Sequence, residues 1–282
     1  MKGLAMAMNS TIEWTDHTFN PWTGCTNISP GCDHCYAEAW SKRSGQVKWG
    51  NSPRKRTTDS YWRSPHIWQR KAAEFAAAHG RRQRVFCASL ADVFDNKADS
   101  AWRLDLFKVI RATPSLDWQL LTKRPQNIKK MLPPDWGATG YSNVWLGFTA
   151  EDQVRFDQRK RFINEVPAQV WFVSYEPAIG PLRISEADPR PDWLISGGES
   201  GPGARPMMCN WVRDIIADCD ALGIAAFHKQ WGASGNNPLV QEKGISATEI
   251  KDLDPFGKGG GLLDGRLIRH FPAGDKKNVN AA

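Results

Sequence analysis

The sequence has no run of 18 apolar residues, so no membrane-spanning helix is expected. Its first ten residues hold a single lysine, Lys2, and no apolar stretch of the length a secretory signal needs, which makes a cytoplasmic location the expectation. Internal repeats are absent. Cysteine is sparse: six occur in 282 residues and only three lie close together, which excludes a secreted disulfide scaffold. Collagen and coiled-coil architectures are excluded as well. What is present is globular in kind, with 41% hydrophobic, 24% charged and 11% aromatic residues. Length alone suggests two domains, but α/β barrels of roughly 250 residues often form one.

Two features stand out against that background. Tryptophan is abundant, at 14 residues, and positive charge is uneven. Residues 1–130 hold 21 Lys+Arg against 11 Asp+Glu, whereas 131–282 hold 16 against 19. Acidic residues are scarcest between Lys42 and Arg84, where 12 basic residues face only Asp59 and Glu74. Trp49, Tyr61, Trp62 and Trp68 are interleaved there. Such a stretch can hold phosphates and stack bases, with Trp49, Arg54, Arg56 and Trp62 as candidate substrate contacts; a solvated Arg-rich surface is the plainer reading.

A first strand is expected at Ile12–Trp14, then a loop rich in Asn, Pro, Gly and Cys, and a helix over Cys35–Lys42. The segment 43–65 reads as a basic, aromatic insertion, followed by a helix over His66–His79. Apolar runs at Val85–Ser89, Trp118–Leu121, Val144–Phe148, Val170–Ser174, Trp193–Ser196 and Ile224–His228 then alternate with helices near Ser100–Ala112, Gln126–Met131, Asp152–Glu165 and Asn210–Leu222. This alternation is the signature of βα units around a parallel sheet. With a candidate eighth strand at Arg266–Phe271, the expected fold class is α/β: one (β/α) barrel of TIM or partial-barrel type over 1–282. Residues 232–282 form a Gly-rich C-terminal extension. A doubly wound open sheet is the alternative.

Polar groups gather after nearly every run: Lys123 and Arg124, Glu151, Ser174 and Glu176, Gly197-Gly198-Glu199, and His228-Lys229. In a (β/α) barrel the C-terminal strand ends build the active site. Lys123 and Arg124 are candidates to grip an anionic substrate group. Glu151, Glu176, His228 and Lys229 are candidates for proton transfer and anion binding. Helix capping accounts for some polar strand ends, but not for three glutamates with Lys, Arg and His.

Cys25, Cys32 and Cys35 are spaced C-x6-C-x2-C in the loop after the first strand. Three thiolates on one loop can hold three irons of a 4Fe–4S cluster and leave the fourth open. A zinc site is the alternative, with His17, His34 or Cys87 as fourth ligand. Cys87, Cys209 and Cys219 are scattered and read as small core residues.

Three cysteines after the first strand of such a barrel resemble the radical S-adenosylmethionine (SAM) superfamily. More narrowly, the runs Asn20-Pro21-Trp22-Thr23-Gly24-Cys25 and Ser29-Pro30-Gly31-Cys32-Asp33-His34-Cys35-Tyr36-Ala37 resemble a phage-associated family named for its three-Cys motif. Phe172 to Pro177, Ile195 to Gly201, His228 to Gly232 and Leu263 to Arg266 are similar to that family's pattern too, so the match runs over most of the chain. The narrow family implies no reaction. The superfamily resemblance implies a 4Fe–4S cluster on Cys25, Cys32 and Cys35 that donates an electron to SAM and yields a 5′-deoxyadenosyl radical. It also implies SAM contacts from His34, Ser174, Gly197, Gly198 and Glu199. With the basic insertion, the substrate implied is a nucleic-acid base (DNA favoured) or a nucleotide. The partners implied are an electron donor such as a flavodoxin or ferredoxin, and an auxiliary protein. The rival expectation is a non-catalytic zinc-binding, DNA-binding accessory protein.

Overall fold

The computed structural model describes residues 10–273. The reading of Met1–Asn9 and of the last part of the 232–282 extension therefore lies outside the described residues. The chain begins with β1 (His17–Thr18), β2 (Trp22–Thr23) and α1 (Tyr36–Ser44), then β3 (Lys55–Arg56), α2 (Asp59–Trp62), α3 (Ser64–Arg70) and α4 (Ala72–His79). Strands and helices next alternate: β4 (Gln83–Cys87), α5 (Ser100–Arg111), β5 (Leu116–Thr122), α6 (Ile128–Met131), β6 (Val144–Thr149), α7 (Gln153–Arg159), α8 (Phe162–Glu165), β7 (Val170–Tyr175), β8 (Trp193–Gly197), α9 (Cys209–Leu222) and β9 (Ala225–Gln230). Two short helices, α10 (Pro238–Gln241) and α11 (Ile250–Leu253), and a hairpin of β10 (Leu262–Leu263) and β11 (Arg266–Leu267) complete it. No described helix is long and apolar enough to cross a membrane.

Seven strands form one sheet in the order β1-β4-β5-β6-β7-β8-β9, every neighbouring pair parallel. Both faces are buried, as parallel strands flanked by helices require. Val85, Leu120, Leu146, Val173 and Leu194 pack outward with the helices. Phe86, Trp145, Phe172, Trp193 and Phe227, one register step away, gather on the other face around Trp14. That second cluster shows that the sheet curls. β4 and β8 stand four places apart, a distance of roughly 19 Å in a flat sheet. Yet the Trp14 ring lies 4.7 Å from Phe86 and 6.1 Å from Trp193. The fold is thus a mixed α/β parallel half-barrel whose concave base is filled with aromatic rings.

Three expectations change. The first strand is His17–Thr18, paired with Val85 and Phe86, and not Ile12–Trp14. The Thr15 N–H closes a turn onto the Ile12 carbonyl, which sends Trp14 into the concave core. The helix expected over His66–His79 is two helices meeting at Lys71, and the insertion before it contains β3 and α2. The eighth strand does not continue the parallel order: Arg266–Leu267 belongs to a hairpin, and Ile268–His270 bonds the β9 edge antiparallel. Asp264 and Gly265, both at positive φ, close a tight hairpin, and the chain leaving it runs antiparallel to β9. Arg269 there pairs with Glu13 at 2.8 Å, and the Phe271 ring packs at a tilt against Trp193 at 5.2 Å, so the tail spans the opening between the first and last strands.

Candidate active site and cysteine loop

Cys25, Cys32 and Cys35 all lie between β2 and α1, at the C-terminal ends of the sheet strands. Pro30–Cys32 forms a 3-10 turn, and Cys35 stands at the N-terminus of the nine-residue α1. Burial raises the Cys35 thiol above its ordinary value there, and the backbone N–H groups of Glu38 and Ala37 offset only part of that. Burial and the nearby Asp92 push the Cys25 thiol up to about 11, while Arg124, 3.5 Å from its Sγ, pulls the other way.

Strand-end residues expected to act on a substrate instead clamp this loop. Arg124 is buried, bonds Asp92 at 2.9 Å and donates to the Thr26 carbonyl at 2.9 Å beside Cys25. Glu151, fully buried, accepts from the Ser29 hydroxyl and pairs with Arg159 at 2.8 Å. Burial alone would raise its pKa; Arg159 and Lys123 hold it below the usual carboxylate range. Gly31 makes room for it, since a Cβ there would stand 2.4 Å from Glu151 Cγ. On the far side Arg205 bonds Glu199 at 2.7 Å, the Pro30 carbonyl at 2.9 Å and Asp33 at 3.2 Å, while Glu199 meets His34 Nδ1 at 2.7 Å. Against the penalty of burial, Arg205 and His34 hold the Glu199 carboxyl down to about 2. The loop is therefore tied at three points to β5, β6 and β8.

A second group faces the concave side beneath it. Lys229 on β9 bonds Glu176 after β7 at 2.5 Å, and Gly197 on β8 lies against that carboxylate. Lys123 Nζ stands 3.4 Å from Thr149 Oγ1 and near enough to Cys35 to favour its thiolate. Ser174 pairs in register with Thr149 on the neighbouring strand and is buried. Tyr36, largely exposed, donates to the Ser89 carbonyl at 2.7 Å over the same mouth. One half-buried ion pair, one further cation and several hydroxyls thus converge next to Cys35. Such a site can hold an anionic group and exchange a proton along Lys229–Glu176.

A family model described as "Protein of unknown function (DUF5131)" matches residues 9–272. The chain belongs to that family. No curated protein matches. Two solved structures of spore photoproduct lyase are similar at 12% identity: a variant with bound AdoMet and dinucleoside spore photoproduct, covering 78% of this chain and 55% of that one with a TM-score of 0.43, and a complex with dinucleoside spore photoproduct, covering 77% and 64% with a TM-score of 0.45. The chain thus spans between about half and two thirds of those proteins' length. The phage-associated three-Cys name does not attach to the matching family, and that part of the resemblance stays an expectation.

Several expected site residues stand elsewhere. His228 points to the helix side of the sheet, fully buried, 3.0 Å from the Ser196 hydroxyl and against Trp231; burial pushes its pKa down to about 3, so it is a neutral core histidine. Gly198 serves close approach of two loops, because a Cβ would lie 2.0 Å from the Trp231 carbonyl. Arg54 has no exposed side-chain surface and bonds Asp95 at 2.6 Å, and Trp62 is buried under the Arg56 guanidinium at 3.9 Å. Arg56 also pairs with Asp105 at 3.2 Å. Arg54 and Trp62 are thus built into the fold, Arg56 keeps 27% of its side chain exposed, and Trp49 lines a groove.

Of the fourth ligands considered for zinc, His17 is buried in a stack on Trp68 at 4.2 Å and Cys87 lies in the helix-side core, whereas His34 bonds Glu199 through Nδ1 and keeps Nε2 for another partner. Among the described residues no three His, Cys, Asp or Glu side chains, the three cysteines included, are grouped closely enough to hold a metal ion. Sequence reading missed Arg205, Arg159 and Ser29. Arg159 carried a signal, lying two helical turns beyond Glu151 on the inward face of α7; Arg205 and Ser29 carried none, because their partners are far off in sequence.

Proposed function

We propose that the protein is a radical-SAM-like enzyme acting on a nucleic-acid base or nucleotide. Cys25, Cys32 and Cys35 would hold a 4Fe–4S cluster. The observation that carries this reading is the clamped three-cysteine loop, set directly over the cation-lined mouth of a parallel half-barrel. The donor types suit it: three thiols on one loop, with Arg124 beside Cys25 and backbone N–H groups at Cys35 partly offsetting the burial that raises both thiols. When bound, the cluster would supply one electron to SAM and so a carbon radical able to take hydrogen from the substrate.

The chain's own groups perform the rest. Arg124, Glu151 and the Glu199–Arg205 pair are positioning residues that fix the thiols above the mouth. Lys123 and Thr149 offer a seat to an anionic group of substrate or cofactor, and Ser174 a hydroxyl beside it. The Lys229–Glu176 ion pair is the candidate for proton transfer at the mouth. The aromatic base below keeps water out of the lower half-barrel. An electron carrier such as a flavodoxin or ferredoxin is the expected electron source.

The test is iron and sulfide stoichiometry after anaerobic purification and reconstitution, with 5′-deoxyadenosine release from SAM under dithionite. About four irons and four sulfides per chain, with product lost in Cys32→Ala, are expected from the cluster type. Stoichiometric zinc without sulfide overturns the reading in favour of an accessory binder.

A further inference from the structure

Beside the cysteine loop lies an open groove of about 330 Å³ lined by Thr26, Asn27, Glu38, Trp49, Gly50 and Asn51. It is a built feature. Gly50 N–H bonds the Cys25 carbonyl at 2.9 Å, and the Thr26 hydroxyl bonds the Gly50 carbonyl at 2.8 Å. The buried Arg54 guanidinium underlies both, donating to Gly50 O at 2.8 Å and Thr26 Oγ1 at 2.7 Å. The insertion is thereby fixed directly to the loop that carries the thiols. Trp49 is half-buried and oriented by an Nε1–H bond to Asn27 Oδ1 at 3.3 Å. The amide side chains of Asn27 and Asn51 and the Glu38 carboxylate complete the lining. Lys42 offsets that carboxylate at 3.0 Å, and Lys97 reaches Asn51 Oδ1 at 2.6 Å on the rim. Lys48 and Lys55 are exposed on the same insertion.

We propose that this groove receives one unstacked base of a single-stranded nucleic acid, laid on Trp49 and flanking the nucleotide that enters the half-barrel mouth. An aromatic face with hydrogen-bonding amides at its edge and lysines at its rim is the arrangement that holds a single strand: stacking accepts any base, and the cations follow the backbone. Duplex DNA does not offer a base face to such a groove. The inference rests on the nucleic-acid reading of the site but does not need the cluster, so the two can fail separately.

The experiment is fluorescence anisotropy of a labelled 12-nucleotide oligothymidylate and of its duplex with oligoadenylate, using the full chain. The single strand is expected to bind more tightly than the duplex. Trp49→Ala should weaken single-strand binding by about 5- to 100-fold, Trp49→Phe much less, as loss and retention of one stacked base predict. Lys48→Glu or Lys97→Glu should reduce the salt slope by about 0.7 each. Single-strand binding by Trp49→Ala within twofold of the parent, with an unchanged circular dichroism spectrum, overturns the groove whatever the cluster test returns. So does a preference for the duplex that Trp49 does not influence.

Discussion

The same strands serve two ends of the half-barrel very differently. At the base, Phe86, Trp145, Phe172, Trp193 and Phe227 turn inward and meet Trp14, with the Arg84 and Arg269 guanidiniums lying over the rings of Trp145 and Phe227. A few residues further along, β6, β7 and β9 turn Thr149, Glu176 and Lys229 into the same concave face, with Lys123 just beyond β5. Height along a strand therefore separates stability from chemistry, and a substitution at each height should report on one and spare the other.

The largest expected effect is at the base. Trp193 touches Trp14, Trp145, Phe172, Phe227 and Phe271, so Trp193→Ala should cost about 3–5 kcal/mol in denaturant unfolding. A loss below about 1 kcal/mol would mean that the curl does not depend on the ring. Next comes the clamp between the ends. Arg205→Ala leaves Glu199 without its main partner and frees Pro30 and Asp33, for a cost of about 1–3 kcal/mol. Its more telling consequence is a reduced iron content after reconstitution, which Arg205→Lys should partly restore. Equal iron in all three proteins would show that the loop needs no tether there.

A smaller effect is set by His228. Burial, with Arg269 nearby, lowers its folded pKa from the ordinary 6.5 to about 3. Above pH 6.5 both states are neutral and the residue costs nothing. Between 6.5 and 3 the unfolded chain takes up a proton that the folded one refuses, so stability falls with acid through that window. His228→Asn should flatten the decline, measured as unfolding free energy against pH; an unchanged slope would place the titration elsewhere. The smallest stability change belongs to the mouth. Lys229→Met should alter unfolding by no more than about 1 kcal/mol, because the pair with Glu176 is half-exposed, yet abolish turnover.

The two ends were also unequally legible. The strands from Val85 onward stand in sequence as apolar runs, and their ends name Lys123, Glu151, Glu176, Glu199 and Lys229 as a group. The first strand did not, because two residues, His17 and Thr18, carry no period. Nor did the division of labour at the strand ends. Ser29 finds Glu151 across 122 residues and Pro30 finds Arg205 across 175, separations at which no local pattern survives. The basic insertion misled for a related reason. Arg54 and Arg56 look solvent-bound in sequence, but Asp95 and Asp105, some 40 to 50 residues on, take up their charge. Cys87 shows the reverse: a thiol in a core strand reads as core, and it is.

The most direct test of the central claim, that the clamped cysteines form a radical-initiating centre, is electron paramagnetic resonance of the anaerobically reduced protein before and after adding SAM. A 4Fe–4S signal that SAM alters, and that disappears in Cys32→Ala, is the predicted result. A reduced protein with no cluster signal after reconstitution, or a signal indifferent to SAM, would contradict it.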